Sequence, residues 1–278
     1  MKEASPHDIP AGRRQARSPR PGRLTGSVAI SLARRLRRAL RRIPLPDITT
    51  PIREFLISRR PHWHVIGDSH LGGFQLAARK GLFRRPPVFT RVAGATAVGL
   101  RNPNSKTDAL GVFRRALTPH DPNKIPVIHL GEVDCGFVIW YRAQKYGESV
   151  DTQFAQSVDA LLAFVDELRQ LGYDRIVLTG ATLPTILDGQ AWGDVANARR
   201  EVTATLKERT DLTLRYNARL REGAAARGLP FVDLTDDVLD PATGLVSKTF
   251  RHPDPRDHHL DPEKIGPLWA DALNGLQI

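Results

Sequence analysis

Cysteine is almost absent from the 278-residue chain: Cys135 is the only one. That excludes an internal disulfide framework and any zinc site built on several thiolates, and a reducing compartment is the simplest setting. No run of 18 apolar residues occurs, so no spanning helix is expected. Net charge is also absent from most of the chain. Residues 1–60 carry 15 basic and 4 acidic side chains, whereas residues 61–278 carry 26 of each, so the whole formal charge of +11 sits in the first fifth. A uniformly basic nucleic-acid-binding domain is thereby excluded, and no specific nucleic acid is expected as a partner. No internal repeat is visible.

The chain divides into a basic extension, 1–60, and a neutral domain, 61–278. Residues 1–26 are rich in Arg, Pro, Gly and Ser without periodicity and read as disordered. The apolar run Ser27–Ala33 is short and ends at Arg34 and Arg35, which argues against a secretory signal. Over 27–43, Ala29, Leu32, Leu36, Leu40 and Ile43 recur at helical steps among arginines, and Pro44 ends the segment. This basic amphipathic helix packs on the domain or on another subunit, or rests on an anionic membrane surface. The expected location is cytoplasmic, with a peripheral membrane position open through residues 27–43.

From His62 the pattern alternates short apolar strands with amphipathic helices. Strands are expected at 63–66, 88–92, 125–130, 175–179 and 230–233. Helices are expected near 71–80, over 150–171, within 199–227 and over 262–276. Short strands joined by helical crossovers predict an α/β protein: a three-layer α/β/α sandwich around a parallel, flavodoxin-like sheet of about five strands. Ligands of such sheets bind beyond the carboxyl ends of the strands. The informative residues are therefore Gly67-Asp68-Ser69-His70, Ala93-Gly94-Ala95-Thr96, Gly131-Glu132-Val133-Asp134-Cys135 and Asp257-His258-His259-Leu260.

A serine at a strand-to-helix turn presents its hydroxyl beside backbone N–H groups, but it attacks only when a base takes its proton. His258 and His259 precede the last helix, near the same sheet edge, and Asp257 or Asp254 can orient whichever acts. Asp68 reads as a structural acceptor in its turn. His70 reads as a donor beside Ser69 or as a helix cap. A metal set drawn from Glu132, Asp134, His70, His258 and His259 lacks ligand spacing on any one element, so no metal and no cofactor is expected. Cys135, Trp140, Tyr141 and Trp192 read as packing residues, with stacking on a sugar ring as the alternative for the three aromatics.

At these residues the chain resembles the SGNH (GDSL-type) hydrolases from about Trp63 to Leu276. Ile66-Gly67-Asp68-Ser69-His70 is similar to the first block of the family. Tyr216-Asn217 followed by Gly228–Asp233 resembles its helix and last strand, and Asp257–Asp261 its Asp/His block. The resemblance implies acyl-ester hydrolysis or transfer, with Ser69 as nucleophile, His259 as base and Asp257 as its partner, Asp254 and His258 being the alternatives. It also implies an oxyanion hole from the Ser69 and Gly94 N–H groups. Two features depart from the family pattern. The Asp-x-x-His spacing is missing, because Arg256 lies three residues before His259. Val133 also stands where the third block normally has an Asn donor. Glu132 and Asp134 are then expected at the mouth of the site, with Asn102, Asn104 or Thr96 as substitute donors. The Gly131–Cys135 block and the Gly94–Pro103 segment resemble a subset of the family found in surface-polysaccharide and glycosyltransferase neighbourhoods. This implies an acyl ester, free or borne on a glycan, as substrate, or a catalytically weak protein acting in glycan binding.

Overall fold

A computed structural model describes residues 59–189 and 202–278. The expected helix at 27–43, and Trp192, lie outside these residues.

Five strands form one parallel sheet: β1 (His62–Gly67), β2 (Pro87–Arg91), β3 (Lys124–His129), β4 (Val177–Thr179) and β5 (Phe231–Val232). Their order is β2-β1-β3-β4-β5. β1 pairs with β2 on one side and β3 on the other, in register from Gly67↔Arg91 and Gly67↔His129 backward. The chain leaves β1 toward β2 and returns to β3 on the far side, so the strand order switches between β1 and β3. That is where a flavodoxin-like sheet opens its ligand crevice.

The helices are α1 (Gly72–Arg79), α2 (Ala109–Leu117), α3 (Ile139–Tyr146), α4 (Val150–Gln170), α5 (Leu206–Ala225), the single turn α6 (Thr235–Val238) and α7 (Pro262–Asn274). Strand side chains alternate in direction, and both faces of the sheet are buried. Ile66, Ile128 and Leu178 enter a core with residues of α2, α4 and α5. Trp63, Val65, Ile125, Val127 and Val177 enter the opposite core with residues of α1 and α7. Covering both faces keeps the strand interiors apolar, as in Val65-Ile66 of β1 and Val127-Ile128 of β3. Among the described residues no helix is long and apolar enough to cross a membrane.

α2, α3 and the small hairpin of β6 (Leu239–Asp240) and β7 (Leu245–Val246) were not expected from the sequence. α2 and α3 are eight or nine residues long, too short for a stable periodic signal. They form because Ala109, Leu110, Phe113, Leu117, Ile139 and Ala143 find buried partners.

α1 and α7 bring the first and last site blocks together, and they meet at two glycines. A Cβ on Gly73 would lie 2.5 Å from Ile265 Cγ2, and one on Gly266 would lie 2.8 Å from the Gly73 carbonyl oxygen. Phe74 stacks on Trp269 beside this crossing at 4.5 Å between ring centroids. In an unconstrained helix alanine is favoured over glycine by about 1 kcal/mol. Gly266→Ala should nevertheless lower the thermal midpoint, and Gly266→Val should cost about 1–3 kcal/mol through overpacking. A stabilised Gly266→Ala variant in a thermal melt would contradict the close approach.

Candidate active site

β1 ends at Gly67, where only glycine fits against the neighbouring β3: a Cβ would lie 2.3 Å from the His129 carbonyl oxygen. The chain then turns through a 3-10 turn, Ser69–Leu71, into α1. Asp68 is 1% exposed and holds this turn. Its Oδ1 accepts the His70 N–H at 2.8 Å and the His70 ring Nδ1–H at 3.0 Å. Burial alone would raise the Asp68 pKa, but His70 and His129 together bring it below its ordinary value. Asp68 is thus an acceptor within the turn, as expected. Ser69 is the one partly open residue between buried His62 and Leu71.

The Asp257–His259 segment repeats the device. Asp257 Oδ1 accepts the His259 N–H at 2.9 Å and faces His259 Nδ1 at 2.6 Å. A carboxylate only accepts, so Nδ1 carries the proton and the His259 lone pair lies on Nε2. That Nε2 is buried and has no hydrogen-bond partner among the described residues. Burial lowers the His259 pKa, His70 adds to the effect, and Asp257 and Glu132 oppose it. Burial would raise Asp257, but the His259 N–H and ring, with His252 behind, hold it below its ordinary value.

The loop carrying these residues is pinned at its base. Arg251 bridges to Leu260, and the Asp261 N–H donates to the Phe250 carbonyl at 2.8 Å. The Thr185 hydroxyl, in the loop after β4, donates to the His258 carbonyl, and Arg251 donates to the Thr185 carbonyl at 3.2 Å. The His259 ring then stands 4.7 Å from that of His70, the neighbour of Ser69.

No family model matches the chain, and no curated protein matches it. Solved structures do. A GDSL-like lipase from Bacteroides thetaiotaomicron aligns over 77% of this chain and 86% of its own, at 17% identity and a TM-score of 0.51. The chain has the GDSL-type, or SGNH, hydrolase fold. A carbohydrate acetylesterase family member from Sinorhizobium meliloti aligns over 77% of this chain and 95% of its own, at 15% identity and a TM-score of 0.48.

The GDSL-type frame places the expected residues unevenly. Asp257 reaches His259 Nδ1 from two residues away, so the missing Asp-x-x-His spacing costs no contact, and the His259 ring stands beside that of His70, the neighbour of Ser69. The Asp254 carboxylate makes no such contact with His259 among the described residues. It turns outward into the fork of Arg256, at 3.0 and 2.8 Å, and is 41% exposed. The His258 ring lies 4.0 Å from the His259 ring.

Gly94 follows β2 next to the β1 turn, since the Val92 N–H donates to the Gly67 carbonyl at 2.9 Å. Neither the Ser69 nor the Gly94 N–H is taken by a backbone carbonyl among the described residues. Asn102 is exposed, and its Oδ1 accepts the Asn104 N–H at 3.0 Å. Thr96 accepts the Gly99 N–H at 3.0 Å. No hydrogen bond links Asn102, Asn104 or Thr96 to Ser69 among the described residues.

The expectation that Glu132 and Asp134 line the mouth is corrected. Asp134 is fully buried beneath the Gly94–Pro103 segment. It accepts the Ala97 N–H at 2.7 Å, the Val98 N–H at 3.0 Å and the Ser157 hydroxyl at 2.8 Å. It holds that loop from within the core. Glu132 is 2% exposed, with Oε2 at 3.5 Å from His70 Nε2. Cys135 is buried packing, and Trp140 donates to its carbonyl at 2.7 Å. Sequence reasoning missed the pairing of His70 with Glu132. It also missed the support of Asp257 by His252, whose Nε2 lies 3.7 Å from Oδ2. The repeated Asp-x-His spacing, 68/70 and 257/259, was the available signal.

Burial raises the Asp134 pKa to about 6, outweighing the Val98 and Ala97 N–H groups and the Ser157 hydroxyl. Between about pH 4 and pH 6 the folded chain keeps a proton that the unfolded chain has released, so this group's contribution to stability falls as pH rises. Denaturant melts of wild type and Asp134→Asn across that window should show the wild type losing, relative to the variant, on the order of 1–3 kcal/mol. A difference that grows with pH would contradict the burial.

Proposed function

We propose that this chain is a serine esterase that removes or transfers a short acyl group, with an ester borne on a carbohydrate as the favoured substrate class. The observation that carries the reading is the Asp257–His259 pair, held over the turn that carries Ser69, at the switch point of a GDSL-type sheet. The resemblance of the sequence blocks to the family supports it independently of the fold.

The Ser69 hydroxyl attacks the acyl carbonyl carbon as His259 Nε2 takes its proton. Asp257 holds the ring in the tautomer that leaves Nε2 open and stabilises the imidazolium formed. The negative charge on the former carbonyl oxygen is met by the Ser69 and Gly94 N–H groups, at the amino end of the turn leading into α1. Collapse breaks the ester bond, and His259 returns the proton to the leaving alkoxide. Water, or a second alcohol in the transfer case, then releases the acyl group from Ser69 with the same base. Ser69 Oγ makes no hydrogen bond among the described residues, and this contact forms when substrate binds.

Ser69→Ala should abolish turnover of a chromogenic acetate ester and labelling by a serine-directed phosphonate. Asp257→Asn should reduce kcat by about 10⁴-fold, as loss of the correct tautomer does in serine proteases. Asp254→Ala should stay within a few-fold of wild type, and comparable losses in both variants would refute the assignment of Asp257. His259 acts as a neutral base with a pKa lowered by burial. The acid limb of kcat/KM should therefore lie below the 6.5 of a free imidazole, and Asp257→Asn should move it lower still.

Val133 supports a second reading, a weak or inactive member of the fold that acts in glycan binding. A valine donates nothing where an Asn would serve the oxyanion. In an otherwise intact esterase, Val133→Asn should raise kcat, by up to about 10²–10³-fold if the new amide reaches the oxyanion. Native turnover abolished by Ser69→Ala would remove this second reading.

A further inference from the structure

His70, His258 and His259 each bring one ring nitrogen to a common region, and the three ligand atoms lie within 4.8 Å of one another. Two of the rings are held from behind by carboxylates, His70 by Asp68 and His259 by Asp257. Each carboxylate takes the Nδ1–H, which turns Nε2 toward the shared region, and at His259 leaves the lone pair there. A carboxylate behind a ligating imidazole is the outer shell that metal sites use to fix ring orientation and raise basicity. Here it occurs twice, on rings 4.7 Å apart.

Glu132 lies against one member of this set. A tetrahedral ion with bonds of about 2.1 Å sets its ligand atoms about 3.4 Å apart, and His70 Nε2 lies 3.5 Å from Glu132 Oε2. Those two atoms are spaced as ligands of one ion would be, and the three imidazole nitrogens lie within 4.8 Å of one another beside them. No single element carries this set, which is why the sequence reading expected no metal. The crossing of α1 and α7 assembles it.

We propose that His70, His258 and His259, with Glu132, bind a first-row transition-metal ion of the zinc type, and that the bound ion switches the esterase off. Three imidazoles and one carboxylate suit Zn²⁺ and leave Mg²⁺ and Ca²⁺, which seek oxygen donors, poorly served. The switch follows from one electron pair. The His259 Nε2 lone pair that takes the Ser69 proton is the one given to the metal, and a metallated nitrogen accepts no proton. Metal binding stands on the geometry alone, whereas the switch rests on the esterase reading.

The test uses the full chain without a histidine tag, stripped with chelator. Zn²⁺ binding is followed by calorimetry and Co²⁺ binding by visible absorption, in wild type, Ser69→Ala, His70→Gln and His258→Ala, with folding of each checked by circular dichroism. One ion per chain is expected, bound equally by Ser69→Ala and about tenfold or more weaker in the two histidine variants. Should His70→Gln fail to fold, the partly exposed His258→Ala decides. Zn²⁺ at one equivalent should suppress ester turnover, and chelator should restore it. Absence of binding, or binding that both histidine variants leave unchanged, overturns the site. Binding at the site with turnover unchanged or raised overturns the switch. A wild type without any turnover defeats the esterase reading, while the titrations still decide the site.

Discussion

The structure depends on a close approach between two helices. α1 carries the serine block and α7 follows the histidine block, 190 residues later in the chain. They touch where Gly73 and Gly266 leave no side chains between the backbones. A Cβ on Gly266 would meet a carbonyl oxygen, which cannot rotate away, so the separation of the helices is set by atoms of the main chain. Phe74 on Trp269 extends the contact. With the helices held at this distance, the turn before one and the loop before the other face each other at the switch between β1 and β3.

Within that frame the two blocks use the same local chemistry. In Asp68-Ser69-His70 and in Asp257-His258-His259, an aspartate accepts the backbone N–H and the ring Nδ1–H of the residue two positions on. One carboxylate therefore shapes the turn and selects the tautomer together. The consequence is a buried meeting of ring nitrogens, near Glu132 and beside a partly open serine. A proton acceptor for Ser69 and a ligand set for a cation are two uses of the same lone pair, and the reaction proposed here requires the first.

Much of the fold was legible because its signals are local. Strands buried on both faces read as apolar runs, and long amphipathic helices such as α4 show their stripe. α2 and α3 were not legible, since eight or nine residues give too few turns for a period and their helicity comes from tertiary packing. In the candidate site, order and residue type pointed to Ser69, His259 and Asp257, and the structure adds the hydrogen bond between the last two. Asp254 could not be separated from Asp257 by sequence, because both lie within reach along the chain. The separation came from Arg256, which takes Asp254 outward. Asp134 misled for a similar reason: a carboxylate after a strand can face ligand or loop, and the Ala97 and Val98 N–H groups that donate to it decided for the loop.

The sequence by itself determined the α/β layering, the strands whose ends hold the candidate site, and the confinement of the net charge to residues 1–60. These follow from periodicity, charge and residue type, which act over a few neighbouring positions. The tertiary structure alone decided which aspartate serves His259, that Asp134 supports a loop, and that three histidines from two distant segments share one centre. Each of these depends on where side chains far apart in sequence arrive, and that is set by the packing of α1 on α7 and by the pinning of the histidine loop.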